Sequence, residues 1–282
     1  MTPRLSLAPL SLPELTPDLF LRAAAAAGFS RVALRLFGGD AAKPRILSPA
    51  LVESPAMVAE LGRIAAGEAV AVAEIEVLMI GRSSDIAACE PMLAAAAGIG
   101  VGQLVACVVD EDLGRAAERV RDLALLARSH GIRLGLEFAP TTRLRSLDAA
   151  LALIEATGEA DIGIVVDALH LARSGGTAAD VAAAPGDRLC LLQLCDAPLV
   201  APVNPEDRMR EARERRLVPG AGEIDLVSLV AAMPAGASFS VEVPDAERVA
   251  RLGPVGHARG VREAAERLFA QAPPRRERLL GC

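Results

Sequence analysis

The chain has 282 residues, a formal net charge of −6, 52% hydrophobic residues and 23% charged ones. That length can bury a real core, as one large α/β domain or two small ones, and the hydrophobic share excludes a disordered chain. The negative balance argues against a nucleic-acid groove, and charges recur too often for the ~20 apolar residues of a membrane span, so neither nucleic acid nor membrane is an expected partner.

Short β-branched or Leu-rich runs alternate along the chain with Ala-rich segments of helical period. The first strand is expected at Leu5–Ala8. It lies in an amino terminus, MTPRLSLAPLSLPEL, whose prolines leave no continuous apolar run, so no signal peptide is expected. A helix near 14–27 follows, with Thr16 as its cap, and then a strand at Arg31–Leu36. Ser48 is placed to cap a helix near 49–66. Next come a strand at Ala69–Val77, a helix near 85–97, a strand at Gln103–Val109 and a helix near 112–130. Arg133–Phe138 leads to a helix near 146–157 capped by Ser146, and Ile162–Asp167 to one near 177–183. The series closes with strand Leu189–Cys195, helix 222–233, strand Phe239–Val243 and helix 257–271. Gly28, Gly67, Gly98 and Gly131 fall where helices give way to strands.

Eight strands in this order predict a single (β/α)8 TIM barrel over 1–271, close to the ~250 residues typical of that fold, followed by a tail at 272–282. A doubly wound sheet is the rival, but Ala8, Pro9, Leu10 and Ser11 lack the glycine fingerprint that should follow its first strand. The longest connection, Asp196–Gly222, gathers four prolines around the charged stretch 206–216 and reads as a lid. The five cysteines are an odd number with no CxxC spacing, which predicts reduced thiols in a cytoplasmic protein. The absence of Trp and Tyr weakens a lectin reading and rules out a Tyr acid or base.

Four of the strand runs deliver an oxygen-bearing side chain at or near their carboxyl ends: Glu137, Asp167, Gln193 and Glu242. Ending a buried run on such a group is costly unless something satisfies it. In a barrel all four face one mouth, where they read as one divalent-metal site. Oxygen ligands alone suit Mn²⁺ or Mg²⁺ better than Zn²⁺ or Co²⁺. His170, three residues after Asp167, reads as functional, whereas His130 and His257 keep a structural reading.

The segments LGLEFAP (134–140), VVDALHLARSGGT (165–177), LLQLCDAP (191–198), RRLVPGAGEIDL (215–226) and SVEVPD (240–245) resemble the xylose isomerase-like TIM-barrel superfamily. Its members include sugar-phosphate isomerases and epimerases, inosose dehydratases and 3-dehydroshikimate dehydratases. The resemblance covers roughly residues 5–270 and is concentrated between Arg133 and Pro244. It implies one divalent metal held by Glu137, Asp167, Gln193 and Glu242, the D-x-x-H pair Asp167 and His170, and Arg216 ahead of a Pro-Gly turn. Gln193 departs from the pattern, because many members carry His there. An amide still ligates a hard cation, and Gln at this position is similar to some bacterial 3-dehydroshikimate dehydratases.

The resemblance implies an isomerase or epimerase working next to a carbonyl of a small polyhydroxylated or carboxylated substrate, with Glu137 and Glu242 exchanging protons. The alternative is a dehydratase of the 3-dehydroshikimate or inosose type, with His170 as base. Arg216 would contact the substrate's oxygen or carboxylate end. Arg35, near the end of the second strand, is a further candidate for an anionic group. A non-catalytic binding barrel and a DNA-repair endonuclease are the readings from other classes; three histidines and an acidic balance count against the latter. Glu74 and Glu76 share a face of the third strand, turned toward helices, solvent or the lumen. Residues 173–176 read as a plain loop ahead of a phosphate nest, and Cys195 as a packing residue. A homodimer is an open possibility.

Overall fold

The computed structural model describes residues 3–36 and 54–275. Within them eight parallel strands close on themselves in chain order, each hydrogen-bonded to the next and the last to the first. The strands are β1 (Leu5–Leu7), β2 (Arg31–Arg35), β3 (Ala71–Ile80), β4 (Gln103–Val108), β5 (Arg133–Glu137), β6 (Gly163–Asp167), β7 (Leu189–Leu194) and β8 (Ser238–Val241). This is a single (β/α)8 barrel. Around it lie α1 (Pro17–Ala26), α2 (Pro55–Gly67), α3 (Glu90–Gly98), α4 (Leu113–Ser129) and α5 (Leu147–Thr157), then α6 (Ala168–Arg173), α7 (Ala178–Ala183), α8 (Pro205–Glu214), α9 (Leu226–Ala232) and α10 (Ala246–Gln271). No helix among the described residues is long and apolar enough to cross a membrane.

The period-two alternation of each strand splits the interior into two layers. Leu134, Leu136, Ile164, Val166, Leu192 and Leu194 face outward into the large core shared with the helices. Their neighbours Val105, Val165, Cys190 and Leu191 form a separate small cluster in the lumen. Gly135 and Gly163 make room for it, since a Cβ at Gly163 would lie 2.6 Å from Cys190 Sγ. The same alternation that turns Gly135 and Val165 inward turns Glu137 and Asp167 inward at the carboxyl end.

Local chemistry sets the helix boundaries. Ser146 and Asp112 accept the amides of Ala149 and Arg115, and α7 starts on a reciprocal capping box between Thr177 and Asp180. Thr16 is the cap residue of α1 but makes no side-chain cap bond there. Ser54 caps α2, while Ser48 and the start predicted for that helix fall outside the described residues. Gly158 ends α5 in the left-handed region at φ 71°.

Several boundaries differ from expectation. β3 runs on to Ile80 instead of stopping at Val77, with a register irregularity against β4 between Ile75 and Leu78. The short α6 was not anticipated, because six residues are too few to show a helical period. The connection 196–222 contains α8, whose N-cap Asn204 and first-turn Pro205 mark a start that the surrounding prolines masked. α10 begins at Ala246, not 257, since Gly253 and Pro254 kink it after its first turns. Of the predicted tail, Arg275 lies with its guanidinium 5.0 Å from the Phe239 ring centroid.

Candidate active site

Glu137 and Asp167 are the last residues of β5 and β6, Gln193 is next to last in β7, and Glu242 follows β8 directly. All four are buried, Asp167 completely. Asp167 and Gln193 are register partners, and the Glu242 amide donates to the Leu194 carbonyl at 3.0 Å. Adjacent strands therefore carry these groups to one level of the barrel.

Asp167 does two jobs. Its Oδ1 accepts the His170 amide at 2.9 Å and starts α6, which fixes where the imidazole stands. Its Oδ2 accepts from Arg216 Nη1 at 2.5 Å. Glu137 Oε1 lies 3.6 Å from His170 Nε2, and its Oε2 accepts from the Cys107 thiol at 3.5 Å. One ligand atom from each of Glu137, Asp167 and His170 falls within 4.8 Å of the others, close enough to hold a metal ion. Gln193 Oε1 is buried with no hydrogen-bond partner among the described residues. An amide oxygen orphaned among carboxylates is what an oxygen-ligated cation would satisfy, so these residues fit a divalent metal.

Arg216 lies among these carboxylates. Its guanidinium, 3% exposed, lies 2.5 Å from Asp167 Oδ2 and 3.0 Å from Glu242 Oε2. Nε donates to the Ala212 carbonyl at 2.7 Å, and Nη1 lies 3.5 Å from Cys195 Sγ. Cys195 is thus a packing and weak acceptor group, its thiol pushed up by burial and by the Asp167 charge. Arg35 ends β2 opposite Glu76, and its buried Nε has no partner among the described residues.

These contacts sort the titrations. Burial, with the Glu242 and Asp167 charges behind it, raises Glu137 to about 8. Burial also raises Glu242, against the pull of Arg216. Asp167 feels the same burial, yet Arg216 and His170 offset it and hold the carboxyl below its ordinary value. Burial, against the pull of the Asp167 charge, lowers His170 and so favours its neutral imidazole.

Glu76 is the group the sequence left undecided. It is 3% exposed and turned into the lumen, where burial and then the Glu242 charge push it well up, with Arg35 opposing. An acidic pair at spacing two in a strand was the available signal; which face was inward was not. The amides of Ser174, Gly175 and Gly176 are spent on carbonyls of α6, so 173–176 is a plain helix end. His257 Nε2 donates to the Val243 carbonyl, 2.9 Å away, a structural contact beneath β8.

A closed barrel with an oxygen-rich cluster at one strand mouth defines a metal-type TIM-barrel site. The chain belongs to the xylose isomerase-like TIM barrel family, whose profile it matches over residues 21–271. It is 30% identical over 116 residues to 3-dehydroshikimate dehydratase of Pseudomonas aeruginosa, and 27% identical over 139 residues to that of Pseudomonas putida. Those alignments take in 41% and 47% of this chain but 18% and 21% of the relatives, so the chain matches about a fifth of their length. Among solved structures it is similar to the IolI protein with a bound zinc, at TM-score 0.76 and 16% identity over 96% of this chain and 99% of that one.

Proposed function

We propose that the protein is a divalent-metal-dependent dehydratase of the 3-dehydroshikimate type. The observation that carries this reading is the pairing of a neutral, partly accessible imidazole, His170, with a site whose third strand-end ligand is Gln193. The two curated relatives named for that activity support it.

Glu137, Asp167, Gln193 and Glu242 would hold the metal, with Mn²⁺ or Mg²⁺ preferred by an oxygen-only set. Bound there, it would polarise a substrate carbonyl and acidify the adjacent C–H. His170 takes that proton. At 13% side-chain exposure it is, with Glu137, the accessible edge of the cluster, while Asp167 fixes it through the helix cap. The C–H electron pair forms the new C=C bond as the β-hydroxyl leaves, and the imidazolium returns its proton to that hydroxyl. One water is lost and no net proton is consumed. Arg35 supplies the buried N–H for the substrate carboxylate, a role the ion-paired Arg216 is poorly free to take. Arg216 instead aligns Asp167 and Glu242.

A second reading is a C–H epimerase or isomerase on a polyhydroxylated ketone. Glu137 and Glu242, both raised by burial, favour it as proton carriers. Incubation with 3-dehydroshikimate and Mn²⁺ separates the two. The dehydratase reading expects the near-ultraviolet absorbance of a catechol acid, clearly visible in a chain without Trp or Tyr. No product from 3-dehydroshikimate, with proton exchange into a ketose in deuterated water, would transfer the assignment to the second reading.

A further inference from the structure

The opposite mouth of the barrel, where the strands begin, holds a polar cavity of about 270 Å³. Arg4, Arg31, Glu74, Gln103, Arg133 and Cys190 are among the residues around it. Glu74 reaches inward from β3 and is only 2% exposed, yet its Oε2 has no hydrogen-bond partner among the described residues. Arg31 Nε is buried and equally without one. A carboxylate oxygen and a guanidinium N–H orphaned at the same cavity are each costly to leave unsatisfied. They do not satisfy one another, although burial, which disfavours the Glu74 charge, is opposed by a hydrogen bond from Ser6 and then by the nearby Arg31. Backbone does not stopper the mouth: a Cβ at Gly102 or Gly236 would meet nothing within 4 Å.

The vacancies are of opposite kind. Arg31 offers a donor and needs an acceptor; Glu74, where ionised, offers an acceptor and needs a donor. Arg133 is spent, donating to the Asp161 and Asp187 carbonyls, but it keeps the rim positive, as does the exposed Arg4. Three guanidiniums against one carboxyl favour an anion. A carboxylate-lined floor rejects an anion that lacks a proton to donate. Gln103 does not fill the gap, because its amide is turned to Cys190 Sγ at 3.6 Å.

We propose that this mouth is a binding site for a proton-bearing oxyanion of the phosphate type. An anionic oxygen accepts from Arg31 Nε and the P–OH donates to Glu74 Oε2. The site is independent of the chemistry assigned to the other mouth; at mildly alkaline pH the free hydrogen phosphate ion carries the required P–OH, whereas sulfate and a phosphate monoester carry none.

Calorimetric titration of the metal-free full chain at pH 8 tests it, with inorganic phosphate, sulfate and glycerol phosphate as separate probes. Phosphate should saturate one site, and sulfate, which has no proton to give, should bind at least about tenfold more weakly. Glycerol phosphate, a dianion with no P–OH at that pH, should bind as weakly as sulfate; saturation as tight as that of phosphate would overturn the proton-donor contact. Glu74→Gln should erase the preference for phosphate over sulfate, since an amide both donates and accepts. Arg31→Ala should weaken both ions. Each variant is checked for an unchanged circular dichroism spectrum and unchanged Mn²⁺ affinity at the far mouth. No saturable phosphate binding, equal binding of sulfate by the native chain, or a preference that survives in Glu74→Gln would overturn the proposal.

Discussion

Gln193 is surrounded by groups that are already engaged. Asp167 has both oxygens bonded, Glu242 meets Arg216, and Glu137 meets Cys107 and His170, but the Gln193 amide oxygen has no hydrogen-bond partner among the described residues. Exchange of Gln193 for His should therefore move the proposed site toward softer ions. In competition titrations Gln193→His is expected to favour Zn²⁺ over Mn²⁺ by about tenfold or more relative to the native chain, since imidazole suits zinc. An unchanged Zn²⁺/Mn²⁺ ratio would remove Gln193 from the ligand set. Arg35→Ala should raise KM for a carboxylated substrate about tenfold or more with kcat less affected, as loss of a charge-assisted hydrogen bond costs ~1.5–3 kcal/mol. These residues were legible because each ends an apolar run, where polarity is conspicuous. The position of Arg216 was not. Its partners are 49 residues upstream and 26 downstream, and no local pattern announces an ion pair across that distance.

At the scale of elements, the excursion from β7 to α9 is tied at α8 by a buried pair. Arg173, the last residue of α6, meets Glu211 of α8 in two parallel bonds of 2.8 and 2.6 Å, both side chains 9% exposed. Arg173 also donates to the Pro198 carbonyl at 2.8 Å, which ties down the start of the excursion. One residue beyond Glu211, the Ala212 carbonyl receives Arg216 Nε. The pair thus connects the helix bearing His170 to the helix positioning Arg216. Glu211→Ala should free the segment holding the exposed Leu199, Val200 and Val203, and limited proteolysis there is expected to accelerate. Equal cleavage rates would show that the excursion is held elsewhere. Sequence revealed the excursion and its charges but neither α6 nor α8. Six residues carry too little periodicity to read, and in α8 the polar residues so outnumber the apolar that no face stands out.

Across the whole molecule, the two barrel mouths contain buried acids that the fold keeps partly protonated. Glu74 is raised by burial to about 7 from an ordinary 4.5. A carboxyl raised in the folded state favours folding fully below its unfolded value, and that contribution is lost as pH rises through about 7. For Glu74 alone the swing is on the order of 3 kcal/mol, an upper figure because residual hydration moderates it. Denaturant midpoints of the metal-free protein should therefore fall between pH 5 and pH 8, and the fall should be shallower in Glu74→Gln. A midpoint that rises over that range would contradict the burial assigned to these acids. The barrel itself was plain from eight alternating runs. Which acids line its lumen was not, because β3 is apolar on both faces around Glu74 and Glu76, and the spacing of that strand does not say which face turns inward.

Arg216 has a consequence for the order in which the molecule comes into being. A mouth of converging carboxylates would push its own strands apart until a cation arrived, and folding would then wait on metal supply. Here the cation is encoded in the chain, already seated between Asp167 and Glu242. Folding then need not wait on the proposed metal. Chelators should silence such a protein without unfolding it, while Arg216→Met should make the metal-free form dependent on added Mn²⁺ for its melting temperature. A melting temperature of the native chain that collapses on chelation would show that the arginine is no substitute.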